Sequence, residues 1–329
     1  MLRISFINVG YGDAILIEEL RAKSRVFAML IDGGAPYTGG YRASYDLWPS
    51  RIPTSRYLSS HGIEVLDAMF LTHFHIDHVG GMPAVMESCT FGQLWSNFSL
   101  PEPERLSVLN GRTIENGTAV EMRLSLNMLA EMQNIAGTRG KSIERIGMER
   151  RAIALTDTLI GEFFEADRTL AARTEALMAT VLASDSTETQ RALVQLDAIQ
   201  NAAGVALRLS YAGRRILLPA DLPHAYFRVF ERSSELIRAD ILKVAHHGQP
   251  DSMTRELAAG IAPKHAVVSV SSDNPFGAPS PKIFDMFDAD VDFWTTENID
   301  ASARVARRPP HRAVVFEIQS DGEISASLD

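Results

Sequence analysis

Residues 72–81 read THFHIDHVGG, and no other stretch of the chain constrains its fold and chemistry so tightly. The preceding residues 65–72, VLDAMFLT, form a short unbroken apolar run, the pattern of a strand buried on both faces. That run delivers His73, His75, Asp77 and His78 in the spacing His-x-His-x-Asp-His. Imidazole and carboxylate groups at these positions of a turn can converge on one side, and neutral imidazole with carboxylate is the usual ligand set for Zn²⁺ or Mn²⁺. Gly80 and Gly81 follow, so backbone can pack closely where a helix starts. A lone histidine is ordinarily a satisfied structural residue. Three histidines and an aspartate within six residues point to a metal centre.

Composition removes the other broad classes. With 46% hydrophobic and 22% charged residues, the 329-residue chain can bury a large core, so disordered and low-complexity readings fail. Its length allows two domains or one elaborated α/β domain. The single cysteine, Cys89, excludes an internal disulfide framework and a cysteine-based zinc cluster. No run approaches 18 apolar residues, which predicts no transmembrane helix and no membrane partner. The opening residues alternate and carry Asp13, which predicts a strand pair and not a signal peptide; a cytoplasmic location is the resulting expectation. A formal net charge of −9 predicts no global attraction to phosphate backbones.

Along the chain, residues 1–34 read as strands, with Leu2, Ile4 and Phe6 alternating and Asp32-Gly33-Gly34 closing a second run as a turn. Residues 35–60 read as loop. From about 115 to 201 the texture turns to Ala, Leu, Glu, Arg and Met at helical spacing, which predicts amphipathic helices over 118–136, 141–160 and 167–199. Strands return at 204–219, with Ala212-Gly213 as a hairpin turn, and then at 241–245, 266–270 and 312–318.

On these residues the chain resembles the metallo-β-lactamase superfamily, and more closely its ComEC-type metallo-hydrolases. Asn8-Val9-Gly10-Tyr11-Gly12-Asp13-Ala14 resembles the opening strand motif, with Tyr11 where Gln is usual, and Ile31-Asp32-Gly33-Gly34 matches the second strand. Leu217-Leu218-Pro219-Ala220-Asp221 resembles the strand ending in a metal-bridging aspartate, with Pro-Ala in place of Thr-Gly. Leu242-Lys243-Val244-Ala245-His246-His247-Gly248 is similar to the late His-His-Gly motif. The resemblance implies one α/β hydrolase domain over 1–329, an αββα sandwich of two mixed sheets flanked by helices, with 115–201 as a helical insertion.

It also implies two divalent metal ions, Zn²⁺ or Mn²⁺. His73 and His75 would hold the first, Asp77 and His78 the second, and Asp221 would bridge them. One of His246 and His247, with His247 favoured, would complete the second, and the other would face the substrate. Asp13 and Asp32 would hold ligands by hydrogen bonds, or be ordinary turn carboxylates. Two departures stand out. No histidine occurs between His78 and Asp221, where many members have a third ligand to the first metal. In the loop Asp273-Asn274-Pro275-Phe276-Gly277-Ala278-Pro279, Ala278 stands where a histidine is usual.

The expected reaction is hydrolysis of a phosphodiester, nucleic acid or nucleotide-like, by a metal-bound hydroxide that Asp77 orients. The leaving group would take its proton from water or from whichever of His246 and His247 is not a ligand, which with His247 favoured as ligand is His246. Lys243 is either a further catalytic group or a strand-edge charge. Arg304, Arg307, Arg308, His311 and Arg312 form a local basic stretch that either holds a polyanion or is a solvated loop. Arg214 and Arg215 read as solvent-facing. The rival readings are a small-molecule ester, lactone or thioester hydrolase, and a weakened metal-binding module that meets a protein partner, or itself, through 115–201.

Overall fold

The computed structural model describes residues 1–100, 103–146, 151–165, 167–227, 237–273 and 276–329. Two mixed β-sheets lie face to face. The first runs in the order β15-β14-β1-β2-β3-β4-β5-β6. Its strands are β1 (Leu2–Ile7), β2 (Ile15–Arg21), β3 (Ser24–Ile31), β4 (Val65–Leu71), β5 (Thr90–Ser96), β6 (Glu144–Arg145), β14 (Ala313–Ile318) and β15 (Ile324–Leu328). The second is β13-β12-β11-β10-β9-β8-β7, from β7 (Arg151–Ala154), β8 (Ile160–Glu165), β9 (Val205–Tyr211), β10 (Arg214–Leu218), β11 (Ile241–Lys243), β12 (His265–Val268) and β13 (Asp292–Thr295).

Alternation along the strands builds the layers. Ile15, Ile17, Met29 and Ile31 pack between the sheets against Phe163, Leu207, Ile216 and Val267. Leu16, Ala28 and Leu30, one residue out of phase, face helices on the outside instead. Those helices are α2 (Thr54–Ser60), α4 (Met82–Ser88), α5 (Gly117–Thr138), α6 (Arg168–Ala183) and α7 (Ser186–Ala203). The shorter α1 (Arg42–Leu47) and α3 (Ile76–Val79) complete that side, while α8 (Arg255–Ile261) and α9 (Pro281–Phe284) cover the second sheet. The result is the two-sheet, helix-flanked sandwich that the sequence implied.

Three sequence expectations need correction. Residues 35–60 are not all loop, because α1 and α2 lie there. The expected helix over 141–160 is β6, β7 and the start of β8 instead. Thr156 and Asp157 break that stretch: the Thr156 hydroxyl accepts from the amides of Thr158 and Leu159, closing a β7–β8 hairpin, and β8 then pairs with β9. The pairing decides the outcome over local propensity. The stretch 115–201 is therefore not helical throughout. Third, 167–199 is two helices, since Asp185 caps α7 by accepting from the amides of Thr187 and Glu188. The Ala212-Gly213 turn is present, with φ of 49° and 75°, as a tight hairpin requires.

Strands β3 to β6 and β10 to β13 run parallel. Parallel strands place their carboxyl ends along one rim, the usual position for a site in such sheets. Here that rim carries Thr72–His78, Asp221 and Val244–His247.

Candidate metal centre

Each histidine of the first motif is oriented by a partner on one ring nitrogen and turns the other inward. After β4 the chain leaves extended backbone at His75 and enters the single turn of α3, which carries Asp77 and His78. His78 Nδ1 donates to Asp32 Oδ2 at 2.8 Å, and His73 Nδ1 lies 3.1 Å from the Thr72 hydroxyl, which itself donates to Asp32. His75 Nε2 is 3.2 Å from the Asp197 carbonyl and 3.5 Å from its carboxylate. His247 Nδ1 is 3.1 Å from the Ser269 carbonyl. Such partners fix ring orientation and tautomer, as at metal-bound imidazoles.

The inward atoms form two adjoining groups. In one, Asp221 Oδ2 lies 3.2 Å from His78 Nε2 and 3.1 Å from His247 Nε2. Asp77 Oδ2 lies 3.6 and 3.4 Å from the same two nitrogens. Ligands about 2.0–2.1 Å from a tetrahedral ion sit about 3.3 Å apart, so these four atoms have the spacing of such a ligand set. In the other group, His73 Nε2 faces His75 Nδ1 at 3.2 Å, and the His73 ring is 4.1 Å from that of His78. The structure thus brings together all six residues expected to hold metal.

Close backbone approach makes this convergence feasible. A Cβ on Gly12 (φ 112°) would sit 2.0 Å from the Asp77 carbonyl oxygen, and one on Gly81 would sit 2.0 Å from that of Gly33. The strand ends carry strain too: Asp32, Ala220, His246 and His247 all have φ between 48° and 56°. Non-glycine residues there cost about 1 kcal/mol or more each, which is why such backbone gathers at functional sites.

Electrostatics explain what the cluster lacks. Asp13, Asp32, Asp77 and Asp221 are all buried, and the ammonium of Lys243 is buried among them. Lys243 Nζ pairs with Asp13 Oδ2, and lies 3.1 Å from Asp221 Oδ1 and 3.0 Å from the Ala220 carbonyl. Four carboxylates against one ammonium leave negative charge that the low-dielectric interior cannot hold unmatched. The histidines respond. Burial disfavours charge on His78, yet Asp221, Asp77 and Asp32 hold it well above the usual histidine range. His247 is likewise raised to about 10, against burial, chiefly by Asp221. His73 moves the other way, held neutral by burial and by His78. Burial alone would raise Asp77, but His78 and His247 bring it down to about 2. This donor set fits divalent cations, which would supply the missing charge in place of protons.

Asp13 also belongs to a group of four buried residues, with His78, Asp221 and His247, whose ligand atoms lie within 4.8 Å of one another. Its Oδ2 is taken by Lys243 and stands 4.0 Å from the outward His78 Nδ1, while its Oδ1 is enclosed without a hydrogen-bond partner. Lys243 is no strand-edge charge.

His246 does not face open solvent. Its Nδ1 donates to Asp251 at 2.9 Å and its Nε2 accepts from Asn201 Nδ2 at 3.0 Å. Neither nitrogen is left for a substrate. Much of the basic stretch is engaged within the chain: Arg304 donates to the carbonyls of Phe284, Phe287 and Asp288, Arg308 stacks on Trp294, and Arg307 makes an exposed pair with Asp300, while Arg312 is exposed. His311 is enclosed between the Pro309 and Thr295 carbonyls. Arg214 is tied to Asp240 and the Gly322 carbonyl. In the loop 273–279, Asn274 and Pro275 lie outside the described residues, and Ala278 is buried.

Four residues near the site escaped sequence reasoning: Asp197 and Asn201 on α7, Asp251, and Arg51. The Arg51 side chain is wholly buried, stacks on Trp48, and ties Glu297 and Asp273 to Ser44. Only Asp251 had a local signal, four residues beyond the His-His pair.

The comparisons with known proteins fit this geometry. Residues 7–117, which carry the first motif and its preceding strands, match the family model described as metallo-beta-lactamase superfamily. The chain is also similar to ComE operon protein 3 of Bacillus subtilis (strain 168), 22% identical over 295 residues. The match covers 86% of this chain but only 30% of that protein's length. Among solved structures it is similar to a diphosphatase of the PhnP family (13% identity, TM-score 0.37, 90% of this chain and 95% of that one). A metallo-β-lactamase superfamily protein of Sulfolobus tokodaii is also similar (12% identity, TM-score 0.37, 74% and 79%). No helix among the described residues is long and apolar enough to cross a membrane.

Proposed function

We propose that this superfamily hydrolase cleaves a phosphodiester with two divalent cations, Zn²⁺ or Mn²⁺. His73 and His75 would hold one, and Asp77, His78, Asp221 and His247 the other, with Asp221 between them. The observation that carries the reading is the charge imbalance of the buried cluster, four carboxylates against the single ammonium of Lys243. Two divalent cations bring four positive charges against the three left uncompensated, which suits an anionic substrate, and a pair of ions suits in-line displacement at phosphorus because it can hold both the attacking and the leaving oxygen.

When bound, the ions would activate a water and polarise the phosphoryl oxygen. The chain's own residues do the rest. Asp32 and Thr72 hold the His78 and His73 rings, Ser269 holds His247, and Lys243 restrains the Asp221 carboxylate. Asp77 Oδ2 would also accept a hydrogen bond from the attacking water and so orient it. His246, with both nitrogens engaged inside the chain, keeps its proton, and solvent supplies the proton taken up by the departing alkoxide. The arginines of 304–312 are given no substrate either.

The test is turnover of bis(4-nitrophenyl) phosphate beside 4-nitrophenyl acetate, with Zn²⁺ or Mn²⁺ added, for the wild-type chain and Asp221→Ala. Hydrolysis of the phosphodiester, lost to background in Asp221→Ala, is the expected result. Hydrolysis of the carboxylate ester alone would transfer the site to the small-molecule esterase reading. Turnover retained by Asp221→Ala would remove the two-ion mechanism.

A further inference from the structure

The first metal position has two nitrogens, His73 Nε2 and His75 Nδ1, and the chain has no histidine between His78 and Asp221 to add a third. The end of α7 packs against this incomplete pair. Asp197, on that helix, takes the outward nitrogen of His75. Asn201 follows one turn later on the same helix face. Gly204, just past the helix end, lies against His73, and a Cβ there would be 3.8 Å from the His73 Cβ. Val205 continues the contact by donating its amide to the Thr72 carbonyl.

Asn201 is held by one end only. Asp251 can only accept from His246 Nδ1, so that nitrogen carries the proton, and His246 Nε2 accepts from Asn201 Nδ2. This chain of bonds fixes which way round the amide sits. It leaves Asn201 Oδ1 enclosed by protein and without a hydrogen-bond partner. An enclosed carbonyl with no partner is costly and rare, and it calls for a ligand.

We infer that Asn201 Oδ1 is the third protein ligand of the first metal position, standing where many members of the superfamily have a histidine. A neutral amide oxygen suits a hard divalent ion and adds no charge beside the carboxylates. Asp197 then acts as a positioning residue, setting the His75 ring, and His246 acts as another, setting the amide. The inference rests on the two-cation reading proposed above.

Its test is titration of the metal-free chain with Zn²⁺, read as stoichiometry and affinity for each ion, with thermal melts as a control on folding. Asn201→Ala, a good helix former, is expected to keep one ion and bind the other at least tenfold more weakly. Asn201→Asp retains an oxygen and is expected to hold both. His246→Ala, which frees the amide, is expected to weaken the same ion by a smaller factor. Two ions bound by Asn201→Ala with wild-type affinities would overturn the inference and leave the two-cation reading standing. A wild-type chain that binds one ion or none would overturn both.

Discussion

The two sides of the metal centre are built differently. On one side, Asp13, Asp32, Asp77, His78, Asp221, Lys243 and His247 come from strand ends and the tight turns after them, and all are buried. Charge meets charge there: Lys243 pairs with Asp13 and Asp221, and His78 with Asp32. On the other side, His73 and His75 come from the same strand end but also meet the end of α7, where Asp197 and Asn201 are only half-buried and Asn201 Oδ1 lacks a partner. The first side is part of the fold's core, so its groups serve stability and metal together. The second adds groups from a helix to that core, so Asp197 and Asn201 can tune metal binding without holding the sheets together.

Substitutions can break or sharpen that contrast. Lys243→Met should have the largest effect on stability, because it leaves Asp13 and Asp221 facing each other uncompensated; breaking a buried pair from one side costs about 3–5 kcal/mol. Urea unfolding of the metal-free chain measures it, and saturating Zn²⁺ should recover part of the loss. Asp32→Asn should cost about 1–3 kcal/mol in the same assay, since its amide nitrogen would have to face a donor, either His78 Nδ1 or the Thr72 amide, whichever its single oxygen does not take. On the helix side, Asp197→Ala should leave the melting temperature near wild type while weakening one bound ion by less than the roughly 10–100-fold of losing a ligand's partner outright, because the carboxylate at 3.5 Å goes but the backbone carbonyl at 3.2 Å still holds His75. A large loss of stability in Asp197→Ala would erase the distinction between the two sides. The smallest effect belongs to Arg307→Ala, whose exposed pair with Asp300 lies outside the site: no measurable change in stability, KM or salt dependence of turnover is expected.

The same contrast explains what the sequence made legible. Strand-end ligands must sit within a few residues of one another, because a short turn has to aim them at one point. His73 to His78, Asp32, Asp221 and the His246-His247 pair therefore appear as compact motifs beside apolar runs. The alternation of Leu2, Ile4 and Phe6 showed its strand for a similar reason, since a single buried face imposes a period of two. Asp197 and Asn201 carry no such mark, being polar positions on an amphipathic helix whose other face is core. The misread stretch 141–160 failed for a physical reason as well. Its Ile and Ala spacing suits either a helix or a strand, and the outcome rests on pairing with β5 and β9, which are distant in sequence. Arg51 was hidden likewise, because its partners Asp273 and Glu297 lie more than 200 residues away.

The central claim is that four buried carboxylates, offset within the cluster by one lysine, hold two divalent cations. Elemental analysis of the purified chain, after incubation with Zn²⁺ and dialysis, tests it most directly. The account expects two zinc ions per chain, falling to at most one in Asp221→Ala with the fold retained. A wild-type chain that comes through this treatment with no zinc, or with only one ion, would contradict it.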